Sequence, residues 1–278
     1  MSSNPQPVDL DLRVESHEPL GASHFLLTLA TGGALTRWDP GQFAMIALGR
    51  EPASIDPLLR RPFSIFNLPG SPAGMLQIFY KILGRGTSIL SRARPGDRIR
   101  CLAPLGHGFA PGRDGDSRLL LVAGGIGSAS LHPLALQERS LGRDPLMLYG
   151  CRTADEIAGI LPTRQAGIDV RVSTDDGSTG RKGYVSGLLD DFLTAEGAHA
   201  ARRWVVCACG PMPMMQATSV VAARHRVACF VSLESPMACG FGVCVGCVVP
   251  TKGQDHGELS YRRICVDGPV FDATVVAW

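Results

Sequence analysis

Four cysteines near the end of the chain, Cys239, Cys244, Cys247 and Cys265, are spaced C-x4-C-x2-C-x17-C. Four thiolates at that spacing can surround a cationic metal centre that compensates their charge. Tetrahedral zinc fits such a set, and so does a [2Fe–2S] cluster; four buried structural thiols are the bland alternative. The intervening residues favour iron and sulfur. Zinc ribbons commonly pair their ligands as two C-x2-C knuckles, whereas a C-x4-C-x2-C run with a distant fourth cysteine suits a two-iron cluster. Gly240, Gly242 and Gly246 lie between the ligands, where a loop must wrap tightly and aim backbone N–H groups at sulfur.

Three further segments carry binding chemistry. Arg61-Pro62-Phe63-Ser64 could serve a flavin nucleotide, with Arg61 on the pyrophosphate, Phe63 along the isoalloxazine and Ser64 on the ring edge. Read alone, a solvated arginine pair, Arg60 and Arg61, before an ordinary strand is the default explanation. Lys81 opens the run to Gly86, Thr87 and Ser88, in which glycines lead into a helix and leave N–H groups, plus the Thr87 hydroxyl, for a phosphate; a plain glycine-rich turn is the alternative. Gly124-Gly125-Ile126-Gly127 follows an apolar run and precedes a helical pattern, the context in which a glycine turn approaches a dinucleotide. It is not G-x-G-x-x-G, so a standard Rossmann dehydrogenase is not expected. Cys209-Gly210-Pro211 would form a second turn at the carboxyl edge of the same sheet, where ligands bind in open α/β folds. Met212 and Met214 after it read as helix packing.

The elements that must position these residues fall into three regions. Before residue 110 the segments Phe25–Leu29, 42–48, 62–67, 76–83 and 98–103 read as short strands between turn residues, the pattern of a barrel or sandwich. Residues 110–117 form a Pro/Gly/charge-rich linker. Then 118–123, 145–150, 170–173 and 204–209 read as strands alternating with helices over 124–141, 185–193 and 212–223, which predicts a parallel α/β sheet. The expected division is 1–114, an antiparallel flavin-binding barrel; 115–230, a Rossmann-like nicotinamide-binding unit; and 231–278, a cluster-binding module. With 27 Lys+Arg against 25 Asp+Glu, no basic excess marks a nucleic-acid binder. The first twenty residues have no apolar stretch of a secretory signal, and the most apolar run, around 237–250, is short of a membrane span and broken by glycines. These features predict a soluble cytoplasmic protein, where clustered thiols serve metals more often than disulfides. Cys101, Cys151, Cys207 and Cys229 then read as buried small hydrophobes.

Taken together, the segments resemble the ferredoxin–NADP reductase superfamily, and the resemblance covers nearly the whole chain. The run Glu234–Cys247 with Cys265–Phe271, the Thr174–Ser178 segment with Gly180 and Gly183, and Pro104–Phe109 are similar to the electron-transfer subunits of class B dihydroorotate dehydrogenases. That resemblance implies FAD bound through Arg61, Pro62, Phe63, Ser64, Lys81, Gly86 and Thr87. It implies NAD at Gly124, Gly125, Gly127, Cys209, Gly210 and Pro211, and one [2Fe–2S] cluster on the four cysteines. The implied partner is an FMN-containing catalytic subunit that oxidises dihydroorotate, in a heterotetramer of two plus two, with electrons running from FMN through the cluster and FAD to NAD⁺. Phe63 stands where many superfamily members have tyrosine. No general acid or base is demanded of this chain. Asp175 and Asp176 would repel a 2′-phosphate and favour NAD, whereas nearby Arg181 and Lys182 would favour NADP. Two rivals are a reductase subunit of another redox complex (bifurcating, hydrogenase or sulfide-linked) and a zinc-stabilised binding protein.

Overall fold

A computed structural model describes residues 6–21, 23–48, 56–111, 117–253 and 258–278. Six strands, β1 (Val8–Leu20), β2 (His24–Ala30), β3 (Phe43–Ile46), β4 (Arg61–Ser64), β5 (Met75–Lys81) and β6 (Arg98–Leu105), form one antiparallel sheet in the order β4-β3-β6-β1-β2-β5. The two ends nearly meet. Phe66 N–H donates to the Gln77 carbonyl at 2.8 Å, and Gln77 N–H donates to Asn67 Oδ1 at 2.9 Å. The result is a nearly closed barrel, so the edge amides of β4 and β5 do not face solvent along their whole length.

The longest strand, β1, is absent from the sequence expectation, which placed the first strand at Phe25. Its run of Asp9, Asp11, Arg13 and Glu15 conceals a two-residue period. Leu12 and Val14 are buried while Asp11, Arg13 and Glu15 beside them are exposed, as one face of a barrel strand requires. Arg98 and Arg100 on β6 answer those acids across the strands, pairing with Asp11 and Asp9 at 2.8 Å. Helix α1 (Arg85–Leu90) follows β5.

Beyond residue 117 the chain builds a seven-stranded sheet in the order β10-β9-β8-β7-β11-β12-β15. The strands are β7 (Arg118–Gly124), β8 (Leu146–Cys151), β9 (Asp169–Thr174), β10 (Arg181–Lys182), β11 (Trp204–Cys209), β12 (Cys229–Ser232) and β15 (Val270–Asp272). All neighbours are parallel except β12 with β15. Helices α2 (Ser128–Ser140), α3 (Leu161–Gln165), α4 (Val185–Glu196), α5 (Ala200–Arg203) and α6 (Met212–Arg224) connect them. The continuous apolar run of β7 is buried on both faces: Leu120 and Val122 enter one core, Leu119, Leu121 and Ala123 the other. Successive side chains alternate across a strand, so only an unbroken apolar run fills both layers. From β7 the chain moves outward to β8 on one side and later returns to β11 on the other. The crevice at that switch point is where open α/β sheets place ligands.

The cysteine segment is threaded between two strands of this sheet. It leaves β12, forms the hairpin β13 (Val248–Lys252) and β14 (Leu259–Arg263), turns through α7 (Ile264–Asp267) and returns as β15, which pairs antiparallel with β12. Neither β12 nor β15 was foreseen; both are too short to show a period. The linker expected over 110–117 and the unit boundary at 114/115 fall largely on residues 112–116, outside the described residues. The barrel and sheet meet at a small apolar seam of Phe66, Phe79 and Ala129, extended by His132 stacked on Phe66 with ring centroids 4.2 Å apart. No helix among the described residues is long and apolar enough to cross a membrane.

Candidate redox site

Two clefts open beside the seam and share a wall. The first, about 680 Å³, is lined by Arg61, Pro62, Phe63 and Ser64 of β4, Tyr80 and Lys81 of β5, and Gly84 to Thr87 at the start of α1. The second lobe closes it with Ile126, Ala129 and the stretch Ser232–Met237. Every residue that the sequence singles out for a flavin therefore faces one cavity. The Phe63 ring is braced edge-on by Tyr80, 5.8 Å away, and the Tyr80 hydroxyl is paired with His17 Nε2 at 2.9 Å. A Cβ on Gly86 would lie 2.6 Å from the Leu48 Cδ1 methyl, so any larger residue there would have to displace that side chain. One expectation needs adjusting. The Thr87 hydroxyl accepts from the N–H groups of Leu83 and Gly84 and donates to the Gly84 carbonyl, so it closes the turn rather than standing ready for a phosphate.

The second cleft, about 720 Å³, lies at the switch point of the sheet. Gly124 at the end of β7, Gly125 and Gly127 after it, and Gly210 and Pro211 after β11 line it together. The two turns touch: a Cβ on Gly127 would sit 2.3 Å from the Cys209 carbonyl oxygen. Glycine there serves contact between backbones. Cys209 itself is 1% exposed, behind the wall, with Sγ 4.0 Å from Glu234 Oε1, and burial pushes its thiol well up. Met214, read from sequence as packing, lines this cleft, while Met212 is exposed.

Lys81, Leu83, Ile126 and Glu234 line both clefts, so the two clefts adjoin. Glu234 was not singled out by the sequence. It opens to the clefts, yet enough protein surrounds it that desolvation raises its carboxyl above the usual range. Also unforeseen are Arg152, Glu156 and Tyr184, all on the wall of the second cleft. Tyr184 is 74% exposed, an aromatic face without a protein cover. Asp175 lines the same cleft at the end of β9. Asp176 is occupied with the backbone N–H and hydroxyl of Ser178, and Arg181 is paired with Asp191 at 2.5 Å.

The four cysteines come together in two pairs. Cys247 and Cys265 are buried, and Cys265 N–H points at Cys247 Sγ at 3.4 Å. Cys244 is exposed and Cys239 partly so, and the Cys244 thiol is near enough to Cys239 to help lower it. Among the described residues no close-set group of three His, Cys, Asp or Glu side chains surrounds a single-ion position. Two thiol pairs suit a two-iron cluster, in which each iron takes two thiolates. The loop also supplies N–H groups. Burial pushes the Cys239 thiol up, but the N–H groups of Cys244, Phe241 and Val243 and the Cys244 thiol outweigh it and bring it to about 6. Cys265 has less help: burial, then its Cys247 neighbour, push it up to about 12. Gly240 and Gly242 adopt φ of +84° and +90°, and Gly240 approaches Met45 so closely that a Cβ would lie 2.4 Å from it. The cluster loop is thus pressed onto the barrel, and Met237, two residues before Cys239, lines the first cleft. Residues Cys101, Cys151, Cys207 and Cys229 are buried.

Residues 234–277 match the family model of the iron-sulfur cluster binding domain of dihydroorotate dehydrogenase B. The chain is 38% identical over 239 residues to the dihydroorotate dehydrogenase B (NAD(+)) electron transfer subunit of Desulforamulus reducens, covering 86% of this chain and 87% of that one. It is 34% identical over 263 residues to an electron transfer subunit homolog of Aquifex aeolicus, covering 94% and 96%. Among solved structures it superposes on an NADH-dependent reduced ferredoxin–NADP oxidoreductase, described in connection with flavin-based electron bifurcation, with TM-score 0.80 and 27% identity over 96% of this chain and 90% of that one. With a barrel cleft, a sheet-edge cleft that shares its wall and a C-terminal cysteine segment that matches the cluster-binding model, the chain belongs to the family of electron transfer subunits of dihydroorotate dehydrogenase B.

Proposed function

We infer that this chain carries FAD and one [2Fe–2S] cluster and exchanges electrons with NAD as the NAD-linked component of a dihydroorotate dehydrogenase. The observation that carries this reading is the shared wall of the two clefts, with Met237 of the cysteine segment on the first of them. FAD, when bound, converts between the two-electron hydride chemistry of nicotinamide and the one-electron chemistry of a cluster. The protein's task is to hold the three in contact and keep water out.

In this reading Arg61 takes the flavin pyrophosphate, Phe63 lies along the ring with Tyr80 behind it, Ser64 meets the ring edge, and the turn held by Thr87 presents Gly86. Gly124, Gly125, Gly127, Gly210 and Pro211 form the bed of the dinucleotide, with Cys209 beneath its nicotinamide end beside Glu234. Tyr184 offers its face to the adenine. Asp175 accepts from the ribose diol and disfavours a 2′-phosphate, and Arg181, engaged by Asp191, does not offset it; the preference is for NAD. The functional units are 1–114 for FAD, 115–230 for NAD and 231–278 for the cluster, the last returning β15 to the sheet of the second. A catalytic dihydroorotate dehydrogenase subunit carrying FMN is the partner, in a two-plus-two assembly in the cytoplasm.

Anaerobic purification should yield a coloured chain with one FAD and two irons. Co-expression with the FMN subunit should give dihydroorotate-dependent NAD⁺ reduction. A colourless product with one zinc per chain would overturn the reading. The likeness to the ferredoxin–NADP oxidoreductase supports a second reading, a subunit of a bifurcating complex. Electron exchange with ferredoxin and none with the FMN subunit would favour it.

A further inference from the structure

Of the residues lining the second cleft, two carry a positive charge, Lys81 from the barrel and Arg152 from the sheet lobe. Both are bonded to the same atom. Lys81 Nζ donates to Glu156 Oε1 at 2.9 Å, and Arg152 Nη2 and Nε donate to it at 2.7 and 3.2 Å. The second oxygen, Oε2, receives the Arg152 backbone N–H at 3.4 Å. Glu156 is firmly placed. The buried Tyr149 hydroxyl donates to its backbone carbonyl at 2.8 Å, and its side chain is 16% exposed. Burial would raise its carboxyl, but Lys81 and Arg152 hold it down at about 2. It is therefore a fixed negative charge in a cleft that, on the reading above, must accept a ligand with two phosphate charges.

We propose that Glu156 is the positioning residue of the dinucleotide cleft: it restrains Lys81 and Arg152 on one carboxylate oxygen, and an entering pyrophosphate must draw both cations away from it. The inference rests on that cleft being the nicotinamide site. Two consequences follow. A ligand with a single weak anionic group gains little, because it releases one cation at most and still meets the carboxylate. A pyrophosphate gains both, and it also replaces Glu156 as the bridge between barrel and sheet lobe. Lys81, singled out in the sequence beside the flavin motif, is then shared between the cofactor and dinucleotide sides.

The test uses the full-length holoprotein and ADP-ribose, which has the pyrophosphate without the nicotinamide ring, with binding measured by calorimetry. Glu156→Gln should bind it roughly three- to tenfold more tightly at low salt, because a unit charge is removed near the phosphates. The gain should shrink at about 0.5 M salt, where exposed charges are screened. Arg152 is 76% exposed, so Arg152→Gln is a variant that folding tolerates. It should weaken ADP-ribose binding roughly threefold or more, and Glu156→Gln should gain less in that background. Unchanged or weaker binding by Glu156→Gln, with flavin content and Tm retained, overturns the proposal. So does unchanged binding by Arg152→Gln. A wild-type holoprotein that fails to bind ADP-ribose at all would instead remove the cleft assignment beneath it.

Discussion

Single residues set the chemistry of the cluster loop. Cys244 is the exposed member of the thiol set, and Gly246 N–H points at its sulfur at 3.4 Å. Replacing that sulfur leaves three ligands for two irons. Cys244→Ser is therefore expected to lose its iron and the visible absorbance that iron contributes. FAD content should be unchanged, since the barrel cleft is built from other residues. NADH oxidation by a direct flavin acceptor should stay within about twofold, and exchange with the FMN subunit should fall by roughly a hundredfold or more. Normal coupling of dihydroorotate to NAD⁺ in this variant would mean that electrons bypass the cluster. The four candidate ligands could be read from sequence because their spacing is covalent. Glu234 and Tyr184 could not: each is one polar or aromatic residue among many, and only the cleft wall distinguishes them.

Among the elements, barrel closure depends on one buried side chain. Asn67, 2% exposed, donates from Nδ2 to the carbonyls of Leu68, Ser71 and Met75 at 3.0–3.2 Å and accepts the Gln77 N–H. Its own carbonyl receives the Trp38 indole N–H at 2.7 Å. Removing the amide takes a partner from the half-buried carbonyl of Met75 and the N–H of Gln77, and each lost partner costs about 1–3 kcal/mol. Asn67→Ala should lower stability by roughly 2–4 kcal/mol in urea titration and loosen FAD, because Phe66 and Phe79 next to it carry the seam. A change below about half a kcal/mol would mean that closure is held elsewhere. The strands β2 to β6 were legible from turn residues. So in principle was β1, whose alternation of Leu10, Leu12 and Val14 with charged neighbours is the half-buried strand pattern; its density of charge obscured it. Strands of three or four residues, such as β12 and β15, carry no readable period, and their sheet partners alone define them.

Across the whole molecule, the joint between lobes carries groups that resist protonation. His132 is buried, stacked on Phe66 and paired with Thr163 at 3.0 Å; burial lowers it from the ordinary 6.5 to about 4. Burial, and then Lys81, lower His24 as well. The unfolded chain takes up these protons first, so stability falls as pH drops from 6.5 toward 4. For Glu156 the stability is present above the ordinary value of 4.5 and lost as pH falls toward about 2. The His132 contribution is about 2–3 kcal/mol by pH 4, and the partly screened Glu156 adds about 1–2 kcal/mol below it. Tm should therefore decline in two stages on acidification. His132→Leu should flatten the stage between pH 6.5 and 4 and leave the lower one; an unaltered profile would place the acid sensitivity away from the seam.

The sequence by itself determined the local chemistry: which cysteines are spaced to share a metal centre, which glycines let one backbone approach another, and which apolar runs are buried on two faces. Each of these is a matter of spacing along a few residues, and spacing is written in the chain. Only the tertiary structure decided that the two clefts share Lys81, Leu83, Ile126 and Glu234, that the cysteines stand in pairs, and that one oxygen of Glu156 holds cations from both lobes. Lys81 and Glu156 are 75 positions apart. Their contact exists because the Phe66–Phe79–Ala129 seam, together with Phe43, Met45 and Leu105 of the barrel in the core of the second lobe, packs one lobe on the other, and no local pattern encodes a distance set by that packing.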